Sequence, residues 1–217
     1  MLNQKIRTAD EGMELLGELH RFAEQLGTPG KLTALGTAPF ALGFGVIDNS
    51  ARLREFLEDY CSQVLVPCEL PAIHRAYVHA SRYEVRELIA SDRQLGQEPK
   101  LRRFASVSQC LGAAQLQKLR PLRDQRLVRR YREAVENGEA HGWHTIVYGL
   151  ILALYSMPLR QGLIHYGQQI VRGFVRATSL SLHLTDRQRG DLAAGLCSPL
   201  PRAVESLLSA HTTAFRP

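Results

Sequence analysis

Residues 142–177 read GWHTIVYGLILALYSMPLRQGLIHYGQQIVRGFVRA. Apolar side chains surround two successive helices here, divided at Pro158. A helix without a polar face belongs at the centre of a bundle. The longest apolar run, residues 146–157, falls well short of the roughly 20 residues that span a bilayer. Gly142, Gly149, Gly162, Gly167 and Gly173 lie in this stretch, each costing about 1 kcal/mol of helix propensity relative to alanine. Their accumulation predicts close backbone approach between helices or to a partner chain. Tyr148, Tyr155 and Tyr166 carry a polar tip on an apolar body, which suits a core edge or an interface.

Helical patterning continues outward in both directions. Thr8-x-x-Glu11 has the form of a capping box before an apolar stripe that runs to Leu26. Residues 28–49 are rich in glycine and proline and form the longest irregular loop. Asp48, Asn49 or Ser50 can cap the next helix, which carries Leu53, Phe56, Leu57, Tyr60 and Val64 and is expected to close at Pro67. The stripe from Leu70 to Ile89 predicts one long helix bent near Ser81, and Pro99 opens another. Leu127, Tyr131, Ala134 and Val135 face inward on a basic helix that Asn137-Gly138 stops. Thr185 and Asp186 cap a further helix ending near Gly195. No stretch alternates with period two long enough to read as a strand. The fold class is therefore all-α: one domain over residues 1–217, with roughly eight to ten helices.

The chain has 217 residues, 45% hydrophobic and 22% charged, the balance of a soluble globular protein. Its N-terminus lacks the apolar core of a signal peptide, so a cytoplasmic location is expected and no membrane association. Cys61, Cys68, Cys110 and Cys197 form no CxxC pair and read as small apolar residues of the interior. The net charge of +6 is local: it equals that of Lys118, Arg120, Arg123, Arg126, Arg129, Arg130 and Arg132 less Asp124. Only Tyr131 interleaves with these arginines and no nucleic-acid-binding signature accompanies them, so a solvated face or an acidic protein partner is favoured over nucleic acid.

Little else in the chain points to chemistry. His141 and His144 are three apart and would share a helix face, which makes them weak candidates for a metal; no dedicated metal site is expected. Asp92 and Glu98 stand at a helix junction, where a capping role is favoured over acid–base catalysis. Gly43-Phe44-Gly45 lacks the third glycine of a dinucleotide loop. No catalytic residue is assigned and the chain is not expected to be an enzyme.

Several collinear motifs carry a family resemblance. Asp92-Arg-Gln-Leu95, the Ser108-x-x-x-Gly112 helix with Arg103 before it, Gly142-Trp-His-Thr-Ile-Val147-Tyr-Gly149, and the run from Leu159 to Ala177 resemble the urease accessory protein F (UreF) family in order and spacing. The resemblance spans about residues 42–196. The chain departs from the family pattern in residues 28–42, at Trp143 where the family has histidine, and at 177–182, which lack the family's arginine.

The resemblance implies an all-helical scaffold. It would join the D/H-type accessory protein and the GTPase accessory G protein while nickel is loaded into apo-urease. Nickel would be handled by the complex, with no cofactor bound by this chain directly, and a homodimer is expected. By the same resemblance residues 179–217, including Leu180 and His183, form a partner-docking segment, with Tyr166, Arg172 and Arg176 as surface anchors. Two other readings remain open: a binding module of the same fold without a urease partner, and a helical nucleic-acid-binding protein using residues 120–132.

Overall fold

A computed structural model describes residues 47, 49–119, 125–179 and 182–213. The capping box at Thr8, the loop 28–42 and its Gly43-Phe44-Gly45 turn lie outside them, as do Arg120, Arg123 and Leu180. The structure is all-α. Its helices are α1 (Ser50–Tyr60), a π-helical segment (Cys61–Glu69), α2 (Leu70–Ser81), α3 (Val85–Gly96), a 3-10 turn (Arg102–Phe104), α4 (Ala105–Lys118), α5 (Arg126–Glu136), α6 (His144–Leu154), α7 (Leu159–Ser179), α8 (Asp186–Cys197) and α9 (Leu200–Thr213). Among the described residues no helix is long and apolar enough to cross a membrane. The described residues cluster into two compact units, one of residues 72–159 and one of 47–71 with 160–213.

In the first unit α4 packs against α6, and α3 against α5 and α6. The approach of α4 to the start of α6 requires glycine: a Cβ on Gly112 would sit 2.0 Å from the Gly142 carbonyl oxygen. Farther along α6, a Cβ on Gly149 would lie 2.5 Å from the carbonyl oxygen of Ile73. Gly149 of the opening stretch and Gly112 outside it thus serve close backbone contact. The chain reaches α6 through a tight reversal. Asn137 caps α5, Gly138 takes φ 73°, and Gly142 takes φ 70°.

The expected long helix from Leu70 is two helices, not one bent helix. The Val78 carbonyl accepts the Arg82 N–H, and Tyr83 then turns the chain at φ 58° before α3 begins. Pro99 likewise precedes a turn, and α-helical geometry starts only at Ala105.

In the second unit the Asn49 side chain caps α1, accepting the Arg52 N–H at 3.0 Å. Leu53, Phe56, Leu57 and Tyr60 make its buried stripe. Phe174 of α7 packs edge-on against Phe56 at 5.6 Å and Tyr60 at 5.2 Å between ring centroids. Pro67 does not close this helix. Having no N–H, it cannot bond back to Gln63, and the helix widens instead. The Leu70 N–H reaches the Leu65 carbonyl and the Cys68 thiol reaches the Gln63 carbonyl at 3.7 Å. Helix α8 opens with a capping box, in which the Thr185 hydroxyl accepts the Gln188 N–H at 3.3 Å while the Gln188 side chain accepts the Thr185 N–H at 2.9 Å. It runs to Cys197, a little past Gly195.

Candidate functional site

The first unit is organised around one carboxylate. Asp92, on the buried side of α3, has no exposed surface. It accepts the Tyr131 hydroxyl at 2.7 Å, the Gly142 and Trp143 N–H groups at 3.1 Å each, and the His141 N–H. The first N–H groups of a helix lack intrahelical acceptors, and Trp143 at the N-cap of α6 has no side chain able to supply one. Asp92 supplies it from 50 residues away, placing negative charge at the positive end of the helix dipole. Its role is capping, as expected, but it caps a distant helix from inside α3 rather than standing at a junction.

The other half of the node is Ser108 on α4. Its hydroxyl oxygen accepts the His144 N–H at 3.2 Å and lies 2.6 Å from His144 Nδ1. With that oxygen already accepting, the hydroxyl proton is free for Nδ1, which makes the imidazole neutral. Burial pushes His144 down to about 3. A hydroxyl on an imidazole has the form of a nucleophile and its base, but activation needs a base poised near neutrality and open to substrate. Both residues are buried and His144 is far too weak a base. The pair holds α4 to α6.

These positions also decide the metal candidates. His141 and His144 do not share a helix face. His144 opens α6 and is buried against Ser108, whereas His141 sits in the preceding loop with its ring against Gly96. Among the described residues there is no cluster of three or more metal-binding side chains.

The positions that meet at this node are Asp92, Ser108, Gly112 and Gly142, with Gly149 farther along α6. These are among the residues on which the sequence resemblance rests. A family model, UreF, matches residues 47–182, more than half of the chain. The chain belongs to the UreF family. Membership brings a urease accessory role and association with other urease accessory proteins. No curated protein matches the chain. The UreF departure at Trp143 is absorbed by the node, because the backbone N–H still reaches Asp92. The indole is buried, and its N–H has no hydrogen-bond partner among the described residues.

The second unit has its own buried carboxyl, Glu69, which sequence reasoning did not single out. The widened turn after Pro67 carries it inward. It is 2% exposed, Oε1 accepts the Tyr60 hydroxyl at 3.0 Å, and the Tyr166 side chain also bonds to it. Burial pushes Glu69 up to about 7, against the lowering effect of the two tyrosines. The signal available in the sequence was a lone carboxylate in the apolar run VLVPCELP, residues 64–71. Burial also raises the Cys61 thiol to about 12, with Cys197 nearby adding to the shift. All four cysteines are free thiols, and Cys110 is exposed rather than interior.

Tyr166 is therefore not a surface anchor. It is fully buried and its polar tip is used by Glu69. Arg172 and Arg176 are exposed one turn apart on α7. With Val175, Arg189, Gly190 and Ala193 they line an open groove of about 360 Å³ whose walls are mostly apolar. His183 is exposed in the turn after α7 at φ 50° and is not among the residues lining that groove.

Proposed function

We propose that this chain is a non-catalytic scaffold of urease maturation. It joins the D/H-type accessory protein and the GTPase accessory G protein, as a homodimer in the cytoplasm, while nickel is loaded into apo-urease. Nickel is the cargo of the complex rather than a resident cofactor of this chain. The observation that carries the reading is the UreF match over residues 47–182, which covers both buried nodes. The groove on α7 supports a docking role for that helix, because arginines beside an apolar floor are the side chains that anchor protein interfaces.

The test is co-expression with the cognate urease and its D/H-type and G-type proteins, with the nickel content of purified urease as readout. Nickel loading that depends on this chain is the expected result; equal loading without it overturns the proposal. The two accessory proteins should co-purify with the full chain and be lost on truncation at Leu184 and on the double change Arg172→Glu/Arg176→Glu. Retained binding by both variants would remove the C-terminal docking assignment. A second reading, a UreF-fold binding module without a urease client, draws on the departures over residues 28–42 and 177–182. The nickel measurement separates the two.

A further inference from the structure

The arginine-rich segment has no part in either buried node beyond Tyr131. Helix α5 turns Leu127, Val128, Tyr131 and Ala134 inward. On its outer side Arg129 pairs with Glu133 at 3.9 Å and Arg132 with Glu136 at 3.3 Å. Arg126 and Arg130 are exposed one turn apart, and among the described residues neither has an ion-pair partner. Together with Leu127 they form one wall of a cleft of about 500 Å³. The other wall is the turn and first residues of α3, Tyr83 to Glu87, where Arg86 is also exposed without an ion pair among the described residues.

Tyr83 is 73% exposed, far more than any other large apolar side chain among the described residues. Its φ of 58° lies in the left-handed region, which disfavours a bulky residue. The turn is nonetheless fixed. The Tyr83 N–H bonds to the Ala80 carbonyl at 3.1 Å and the Glu84 N–H to the His79 carbonyl at 2.9 Å, while the Glu84 carboxylate holds His79 Nδ1 at 2.8 Å. An aromatic ring held out to solvent on a strained but braced turn is the kind of outlier that marks a functional position.

We infer that this cleft docks a carboxylate-bearing segment of a protein partner. Arg126 and Arg130 clamp two of its carboxylates, and Tyr83 packs on an apolar side chain between them. Arginine forks bind carboxylates in bidentate fashion, and tyrosine and arginine are the typical anchors of interfaces. Positions four apart on a helix are separated by about 6 Å along its axis. The matching carboxylates are therefore one turn apart on a facing helix or two residues apart on an extended segment. A polyphosphate backbone fits less well. Glu84 and Glu87 line the same cleft, and Glu133 and Glu136 neutralise the neighbouring arginines, so no unbroken cationic track is present among the described residues.

The inference rests on the urease-maturation reading, which supplies the partners to be tried. Binding of the full chain to the cognate D/H-type protein, the G-type protein, apo-urease and a random DNA duplex is measured separately at low and high salt. Arg126→Glu/Arg130→Glu and Tyr83→Gly are compared with wild type. For one of the three proteins, the arginine pair change should weaken binding at least tenfold, and the wild-type affinity should fall with salt. Tyr83→Gly should weaken the same complex while melting at or above the wild-type temperature, since glycine relieves the positive φ. A purely structural tyrosine would not give opposite changes in binding and stability. Wild-type affinity of both variants for all three proteins overturns the inference, as does a loss confined to the duplex. Failure of the wild-type chain to bind any of the three overturns the maturation reading itself and the cleft assignment with it.

Discussion

Among the described residues each unit of this protein buries one carboxyl against tyrosine, and the two are satisfied to very different degrees. Asp92 meets four donors, three of them backbone N–H groups fixed at the start of α6. Glu69 meets two tyrosine hydroxyls, and its Oε2 has no hydrogen-bond partner among the described residues. A helix start offers convergent donors that no water need supply, so a carboxylate there is held and the chain around it is held in return. A carboxyl facing only side-chain hydroxyls is left closer to its neutral form. The first arrangement fixes a fold; the second leaves a proton loosely assigned near neutrality.

The largest expected effect comes from breaking the first node. Asp92→Ala strands two buried N–H groups, the part-buried His141 N–H and the Tyr131 hydroxyl, and should cost about 3–5 kcal/mol in urea denaturation. A loss below about 1 kcal/mol would show that the node is not the keystone described here. Gly112→Ala attacks the same junction through sterics alone. Its Cβ meets a backbone carbonyl that cannot rotate away, and a cost of about 3 kcal/mol is expected from the same measurement.

Glu69→Gln should act in the opposite direction. Between pH 4.5 and about 7 the folded chain holds a proton on Glu69 that the unfolded chain has released. This contribution is fully present below pH 4.5, is lost as pH rises through 7, and is flat beyond. The variant should therefore match wild type near pH 4.5 and exceed it by about 2–3 kcal/mol at pH 8. A constant difference across that range would refute the burial argument.

His144 responds with the reverse sign. Its folded value is depressed, so the unfolded chain binds the extra proton and stability falls as pH drops from 6.5 toward 3. In Glu69→Gln that slope, up to about 1.4 kcal/mol per pH unit, should emerge uncompensated between pH 4.5 and 6.5. The smallest effect sharpens the contrast between local and distant caps. Thr185→Ala removes an exposed capping box and should cost only about 1 kcal/mol in thermal or urea unfolding.

What the sequence disclosed follows the same division. Local rules read well. The Asn49 and Thr185 caps, the stop at Asn137-Gly138 and the buried stripe of α1 are all set by residues within a turn or two. The motifs of the node were visible in order and spacing, but their purpose was not. The partners of Asp92 lie 39 to 51 residues away, beyond any periodicity. Tyr166 shows why its site was misread. A tyrosine on an apolar helix has the same pattern whether its hydroxyl reaches water or a buried acid, and only the position of Glu69 decides. The break before α3 was missed because nothing in the sequence marks Tyr83 for a left-handed turn that glycine or asparagine would normally occupy.

The widened turn at Pro67 also sets the angular position of Glu69 relative to Tyr60. Each helical residue advances the chain by about 100°, and the π-helical segment Cys61–Glu69 takes up residues without the rotation an α-helix would give them. Removing one residue from this segment would let ordinary winding return, at the cost of swinging Glu69 about a quarter-turn out of line with Tyr60. Length here is a determinant of meaning: a single-residue deletion that leaves every apolar stripe intact would still separate the acid from its tyrosines.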